Sequence, residues 1–271
     1  MNYRVPERAS STRNITGENI PRVSIGIQVY NGEKYLGNAL DSILEQSFEN
    51  FEVIISDNAS TDATEDICRT YAAKDSRILY SRNSSNVGST GNFNSVFHRS
   101  RGEYFKWAAH DDVISPKFLE SCVQILDADP SVVLCHATPI AIDDEGRVLP
   151  DYMKEYRYEE LKNAGSSKPH KRFYDIACLW HACFQVFGVV RADVLRKTPL
   201  NSSYVSADRV LLAELALYGR YHEVAENIFF RRHSEQYCAL QSSQSQTAWY
   251  NPGQGNSRVF PTYRNFVEYL G

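Results

Sequence analysis

Four polar clusters in this 271-residue chain each close an apolar run, and each carries side chains able to do chemistry. His110-Asp111-Asp112 ends the aromatic, β-prone stretch that begins at Tyr104 and is interrupted only by Lys106. Adjacent carboxylates at the end of a buried strand repel each other and lose hydration. A divalent cation holding a phosphate would account for them, since hard cations prefer oxygen ligands. The same residues also read as a solvated turn leading into a helix, with Ser115 as cap and Pro116 at the first helical position. Asp57-Asn58 and Tyr30-Asn31 close two earlier runs, and His233 closes a late one. Asp57 is either an acceptor for a ligand N–H or an Asx-turn and helix cap.

The elements that must position these clusters are legible as alternating patterns. Residues 23–30 are β-branched and end at the turn signal Asn31-Gly32. Residues 33–46 place Leu36, Leu40, Ile43 and Leu44 at helical spacing. A second strand over 51–56 precedes a helix capped by Ser60 or Thr61 and running through Ile67 and Tyr71, and 78–80 is a third strand. This β-α-β-α-β order predicts a parallel sheet covered by helices on both faces, with ligands at the carboxyl ends of the strands. Asn86-Val-Gly88 is a loop, and a helix follows over 92–97. Residues 117–127 are helical, 132–135 form a buried strand, and 140–147 form a strand with a hairpin turn. The polar, tyrosine-rich stretch 150–175 reads as a mobile loop. Beyond it come a buried run over 184–190, a helix start over 191–195, and an amphipathic helix from Ala207-Asp208 to Gly219. One last strand is expected over 224–230.

Composition narrows the class. An apolar fraction of 42%, a charged fraction of 23% and a net charge of −4 fit an ordinary globular domain and oppose general nucleic-acid binding. No run approaches 18 apolar residues, and the N-terminus lacks the apolar core of a signal peptide. The six cysteines form no C-x-x-C pair, so they read as buried thiols in a reducing compartment, which places the chain in the cytoplasm. Residues 1–20 read as a flexible arm, 21–240 as one α/β domain, and 241–271 as a C-terminal segment packing on it or extending from it.

Residues 23–36, followed by Phe51-Glu-Val-Ile-Ile-Ser-Asp-Asn-Ala-Ser-Thr-Asp62, resemble the opening of family-2 glycosyltransferases with the GT-A fold. The resemblance continues through Asn86-Val-Gly88, Gly102-Glu-Tyr-Phe105, Asp111-Asp112, Ala207-Asp208 and Arg232-His233, over about residues 21–235. It implies a nucleotide-binding half near 21–115 and an acceptor-binding half near 116–240. It also implies an inverting transfer of a hexose from a nucleoside-diphosphate sugar, a UDP-sugar by preference, to a glycan hydroxyl in polysaccharide biosynthesis. Asp57 matches the acid that pairs with the nucleobase. Tyr30, Asn31, Asn86 and His110 fall in the nucleotide site, and Asn58 stands where many members carry a second aspartate. Asp111 matches the last acid of the family's D-x-D motif, which holds Mn²⁺ or Mg²⁺ on the diphosphate. Ala109 takes the first position of that motif, so one carboxylate contact is missing here. His233 matches a histidine that completes the metal site in some members. Asp208 matches the catalytic base, with helix capping as its plainer role. Trp180, His181 and Asp112 fall on the acceptor side, although Trp180 also reads as core and Asp112 as a residue that orients Asp111.

The expected partners are therefore a nucleotide-sugar donor and a saccharide or glycolipid acceptor, met in the cytoplasm or at the inner face of the membrane. Two other functions share parts of this pattern. A sugar-nucleotide nucleotidyltransferase would carry a glycine-rich basic loop after the first strand, where this chain has Asn31-Gly-Glu-Lys34. A binding module without transferase activity is favoured by Ala109 and opposed by the joint presence of Asp57, Asp111 and Asp208.

Overall fold

The computed structural model describes residues 20–150, 161–204, 206–225 and 228–233. Alternation of Val23, Ile25, Ile27 and Val29 buries one face of strand β1 (Val23–Val29) completely. It pairs in parallel with β2 (Phe51–Asp57) on one side and with β4 (Tyr104–Ala108) on the other. β3 (Ile78–Arg82) extends the sheet beyond β2. β8 (Val189–Arg191) runs antiparallel between β4 and β6 (Val132–Ala137), and β9 (Arg220–Val224) pairs in parallel with β6. The order is β3-β2-β1-β4-β8-β6-β9, with β8 alone reversed among these strands. A small second sheet, β5-β10-β7, joins Val113–Ile114, Phe229–Arg232 and Ile140–Ile142.

Helices cover both faces, as the alternation predicted. One apolar layer holds Leu36, Leu40 and Ile43 of α1 (Leu36–Leu44), Cys68 of α2 (Thr64–Lys74), and Phe118 and Cys122 of α4 (Phe118–Ala128). The other holds Phe93, Val96 and Phe97 of α3 (Gly88–His98), Ile176 of α5 (Pro169–Cys178), and Leu211, Leu212 and Leu215 of α7 (Ala207–Tyr218). The four-residue α6 (Ala192–Leu195) follows β8 directly. Lys106, the one charge in the central β4 run, is itself buried. Its ammonium donates to the Phe187 carbonyl and lies 4.4 Å from the Phe118 ring centroid.

Several sequence expectations differ from what is observed. The stretch 161–175 is ordered: α5 begins at Pro169, while 151–160 lie outside the described residues. The helix escaped notice because its buried face is polar, with Arg172 and Asp175 beside Ile176. Arg172 donates to the carbonyls of Ser166, Ala216 and Leu217, so it satisfies the unpaired end of α7. Asp175 accepts from the backbone and side chain of Asn163. The single late strand is two, β9 in the main sheet and β10 in the small one. Gly219 ends α7, but with φ −172 it is extended. A Cβ there would lie 2.3 Å from Val133 Cγ1, so close packing requires the glycine. Cys178 is exposed, unlike the other four described cysteines, and all five are free. The arm at 1–19, Cys238 and the segment 241–271 lie outside the described residues.

Candidate functional site

The crevice lies where the winding of the sheet reverses. β2 and β3 stack on one side of β1 and β4 on the other, so the carboxyl ends of β1 and β4 form a topological switch point. Val29 is level with Asp57 across β1–β2, and Ile27 with Ala108 across β1–β4. Continuing that register sets His110-Asp111 opposite Val29-Tyr30, with Asn31 one step further along the sheet edge. Asn31 holds a left-handed backbone (φ 53), which an asparagine tolerates better than most residues. Its Oδ1 accepts the Thr61 N–H at 2.9 Å, and its own N–H donates to Ser60 Oγ at 2.9 Å. Gly32 N–H donates to Thr64 Oγ1, which bolts the turn after β1 to the turn after β2. A Cβ on Gly32 would lie 2.6 Å from Val29 Cγ2 and 2.9 Å from His110 Cδ2. The glycine thus lets the His110 ring close the crevice from the β4 side.

Asp57 is fully buried at the end of β2. Its Oδ1 accepts the Ser60 N–H at 2.8 Å, the local turn contact foreseen for it. Its Oδ2 accepts the Tyr80 hydroxyl at 2.9 Å and lies 3.3 Å from Arg82 Nε, which offsets the charge. Burial and the Asp57 carboxylate push the Tyr80 hydroxyl well above its ordinary pKa, so it remains a donor. Asn58 is a junction. Its amide donates to Asn86 Oδ1 (2.8 Å) and the Gly88 carbonyl (3.2 Å), and its Oδ1 accepts from Val87 N–H and Asn83 Nδ2. An aspartate could make only the accepting half of this set. Asn92 continues the network to the Ser56 carbonyl at 2.9 Å. Asn83 and Asn92 went unnoticed in sequence, although the density of asparagines over 83–94 is the visible signal.

After β4 the two aspartates part company. Asp112 turns inward: it is buried, and its Oδ1 accepts the Arg232 N–H at 3.0 Å. Burial first, then the charge of Asp111, raises its pKa, while burial lowers that of Lys106 across a shared cavity. That cavity, about 10 Å³, has room for one water between Lys106, Asp112, Ser42 and Phe187. Asp112 is thus held by the strand that also holds the Asp111 carbonyl. The Asp111 carboxylate, by contrast, receives no hydrogen bond from the described residues, and its carbonyl accepts from Arg232 Nε at 3.0 Å. His233 follows in the chain, its N–H bonded to the Ile142 carbonyl. Among the described residues no three His, Cys, Asp or Glu side chains cluster to hold a metal by themselves. Asp111 is the carboxylate of this turn that could hold a hard cation, which prefers oxygen ligands.

Asp208 lies near the segment that leads into β8. Because β8 runs antiparallel to β4, the segment preceding it lies beyond the carboxyl end of β4. Cys183 of that segment sits in the field of Asp208, which adds to burial in raising the thiol pKa. Asp208 stands in the first turn of α7, where its Oδ1 accepts the Arg209 N–H at 2.9 Å. Burial raises its pKa, and the Arg209 interactions oppose that rise in part. Cys183 (φ 58) and Ser206 (φ 68) both hold left-handed backbone beside it, and such strain concentrates at functional sites. The Arg209 guanidinium donates to the carbonyls of Ile176, Leu179 and His181, which fixes α7 to the end of α5. His181 is buried: Nε2 contacts the Ile176 carbonyl and Nδ1 accepts the Cys183 N–H. Trp180 is 64% exposed, with Arg209 6.0 Å from its ring centroid. Of this pair, only the indole faces solvent; His181 is spent on local structure.

Comparison with known proteins bears on the family and the fold. The family model described as glycosyl transferase family 2 matches residues 24–189. An uncharacterized glycosyltransferase of Methanocaldococcus jannaschii is 31% identical over 145 residues, covering 52% of this chain and 50% of that protein. The chain spans about half the length of the first curated relatives it matches. S. aureus TarS in complex with UDP-GlcNAc superposes with TM-score 0.63 at 18% identity, over 92% of this chain and 71% of that one. The Pyrobaculum calidifontis mannosyltransferase PcManGT with GDP-Man and Mn²⁺ gives 0.60 at 15% identity, over 92% and 64%. Those likenesses establish a GT-A fold for a mostly parallel seven-stranded sheet. With the family model covering more than half its length, the chain belongs to glycosyl transferase family 2.

Proposed function

We propose that this chain transfers a hexose from a nucleoside-diphosphate sugar, preferentially a UDP-sugar, to a hydroxyl of a saccharide or glycolipid acceptor with inversion. The observation that carries the reading is the crevice between β1 and β4, which gathers Tyr30, Asn31, His110 and Asp111 at one edge of a parallel sheet. Asp57 at the adjoining strand end would accept an N–H of the base, after Tyr80 or Arg82 shifts aside. The donor class is supported by two fold neighbours that hold UDP-GlcNAc and GDP-Man, the latter with Mn²⁺.

In the proposed mechanism Asp111 and His233 are the residues that would hold Mn²⁺ or Mg²⁺. When bound, the cation offsets the negative charge that builds on the departing diphosphate. The remaining work falls to side chains. Asp208 takes the acceptor hydroxyl proton as that oxygen attacks the anomeric carbon, and the C–O bond to the diphosphate breaks on the opposite face. Its raised pKa brings the carboxylate closer to the working pH than an ordinary aspartate, which strengthens it as a base. Trp180 offers an exposed face on which an acceptor sugar can lie. No helix among the described residues is long and apolar enough to cross a membrane.

Calorimetric titration of UDP, GDP and dTDP and their sugars, with and without Mn²⁺, tests the reading. Tightest binding is expected for a UDP species with Mn²⁺ present, and Asp111→Asn should remove most of the metal's contribution. Equal affinity for all three nucleotides in excess chelator would overturn it.

A further inference from the structure

Arg232 is 3% exposed, on a strand that the proposed chemistry uses only for the neighbouring His233. Its guanidinium is bonded to main chain: Nε donates to the Asp111 carbonyl at 3.0 Å, and Nη1 to the Asp143 and Asp144 carbonyls at 2.6 and 2.8 Å. It also lies 4.4 Å from the Tyr35 ring centroid. Three separate segments therefore meet on one side chain: the turn after β4, the hairpin after β7, and the start of α1.

The contact with the β4 turn runs both ways. While Arg232 Nε holds the carbonyl of Asp111, the Arg232 N–H is held by the carboxylate of Asp112. Residues 109–112 follow a bend in which the strand ladder has ended. A bend of this kind would let Asp111 rotate, and a single monodentate carboxylate depends strongly on its backbone direction. The two-way clasp restrains that freedom, and at the next position the His233 N–H is tied to the Ile142 carbonyl. Lysine could not do this, because a point ammonium lacks the planar fork that reaches three carbonyls at once.

We propose that Arg232 is a positioning residue, with Asp112 as its reciprocal partner, that holds Asp111 in the orientation required to bind the cation and diphosphate. The proposal rests on the reading of Asp111 as cation ligand. It assigns Asp112 to the support of Asp111, away from the acceptor, and explains why a buried arginine is spent on carbonyls beside the crevice.

The test is the factor by which Mn²⁺ tightens UDP binding, measured by calorimetry on the full chain. The set is the unsubstituted protein, Arg232→Ala, Arg232→Lys and Arg147→Ala, an exposed arginine of the same hairpin paired with Asp143 and Glu145. Loss of support behind a metal ligand typically costs about 10–100-fold in metal affinity. Both Arg232 variants should lose about that much of the Mn²⁺ enhancement. Their UDP affinity in chelator should stay within about twofold of the unsubstituted protein, and Arg147→Ala should match it in both conditions. If Arg232→Ala fails to fold, Arg232→Lys decides, because it keeps the charge and the stem. An undiminished Mn²⁺ enhancement in Arg232→Lys overturns the positioning role alone, as does an equal loss with and without Mn²⁺. Absence of any Mn²⁺ enhancement in the unsubstituted protein overturns the cation reading of Asp111 and this proposal with it.

Discussion

Replacing Asp208 by asparagine separates catalysis from folding, because the change should leave stability nearly unaltered while removing the proposed base. The side chain stays the same size, and its Oδ1 can still accept the Arg209 N–H. Two electrostatic effects on stability oppose each other. Loss of a negative charge in the first turn of a 12-residue helix costs about 0.3–1 kcal/mol. Against that, burial holds the folded-state pKa above its unfolded value, so ionised Asp208 opposes folding at neutral pH. The sign follows: the raised group favours the fold at acid pH, and that benefit is lost as pH rises through its folded pKa. The asparagine variant should therefore melt near the temperature of the unsubstituted protein at pH 7, within about 1 kcal/mol of it. Transfer, however, should fall about 10²–10⁴-fold, the usual contribution of a positioned base. Initial rates of sugar transfer across pH, with differential scanning fluorimetry on the same samples, would measure both. The unsubstituted enzyme should also lose activity on acidification at a midpoint above the ordinary aspartate value of about 3.9. An asparagine variant with the normal rate, or an acid limb below that value, would refute the argument.

Gly32→Ala should weaken UDP binding and cost about 1–3 kcal/mol of stability, since its Cβ would overlap Val29 and press on the His110 ring; chemical denaturation with calorimetry checks both. Asn58→Asp should destabilise by about 1–3 kcal/mol, because Asn86 Oδ1 and the Gly88 carbonyl each lose a donor, Asn86 Oδ1 keeping the Gly88 N–H, and a carboxylate oxygen would face both. A stability at pH 7 equal to that of the unsubstituted protein would show that the asparagine network carries no energetic role there.

The sequence by itself determined the scaffold. The β-branched runs of β1 and β2, nearly continuous in burial and with helical spacing between them, fit a parallel sheet with helices on both sides. That arrangement alone predicts a site at the strand ends, where Tyr30, Asp57 and Asp111 lie. It was less able to read buried polar faces. Helix α5 hides behind Arg172 and Asp175, whose burial depends on partners at positions 163, 166, 216 and 217. The split of the last strand into β9 and β10 also depends on distant pairing, with Val132–Ala137 for one and with Ile114 and Ile140 for the other. The two adjacent aspartates are the clearest case. Their types and spacing are local and visible, but only the tertiary structure decided that Asp112 turns inward to Arg232 while Asp111 keeps its carboxylate free of the described residues. The physical reason is that their environments are set by a strand 120 residues away, which claims the buried carboxylate as an acceptor and leaves the other at the crevice.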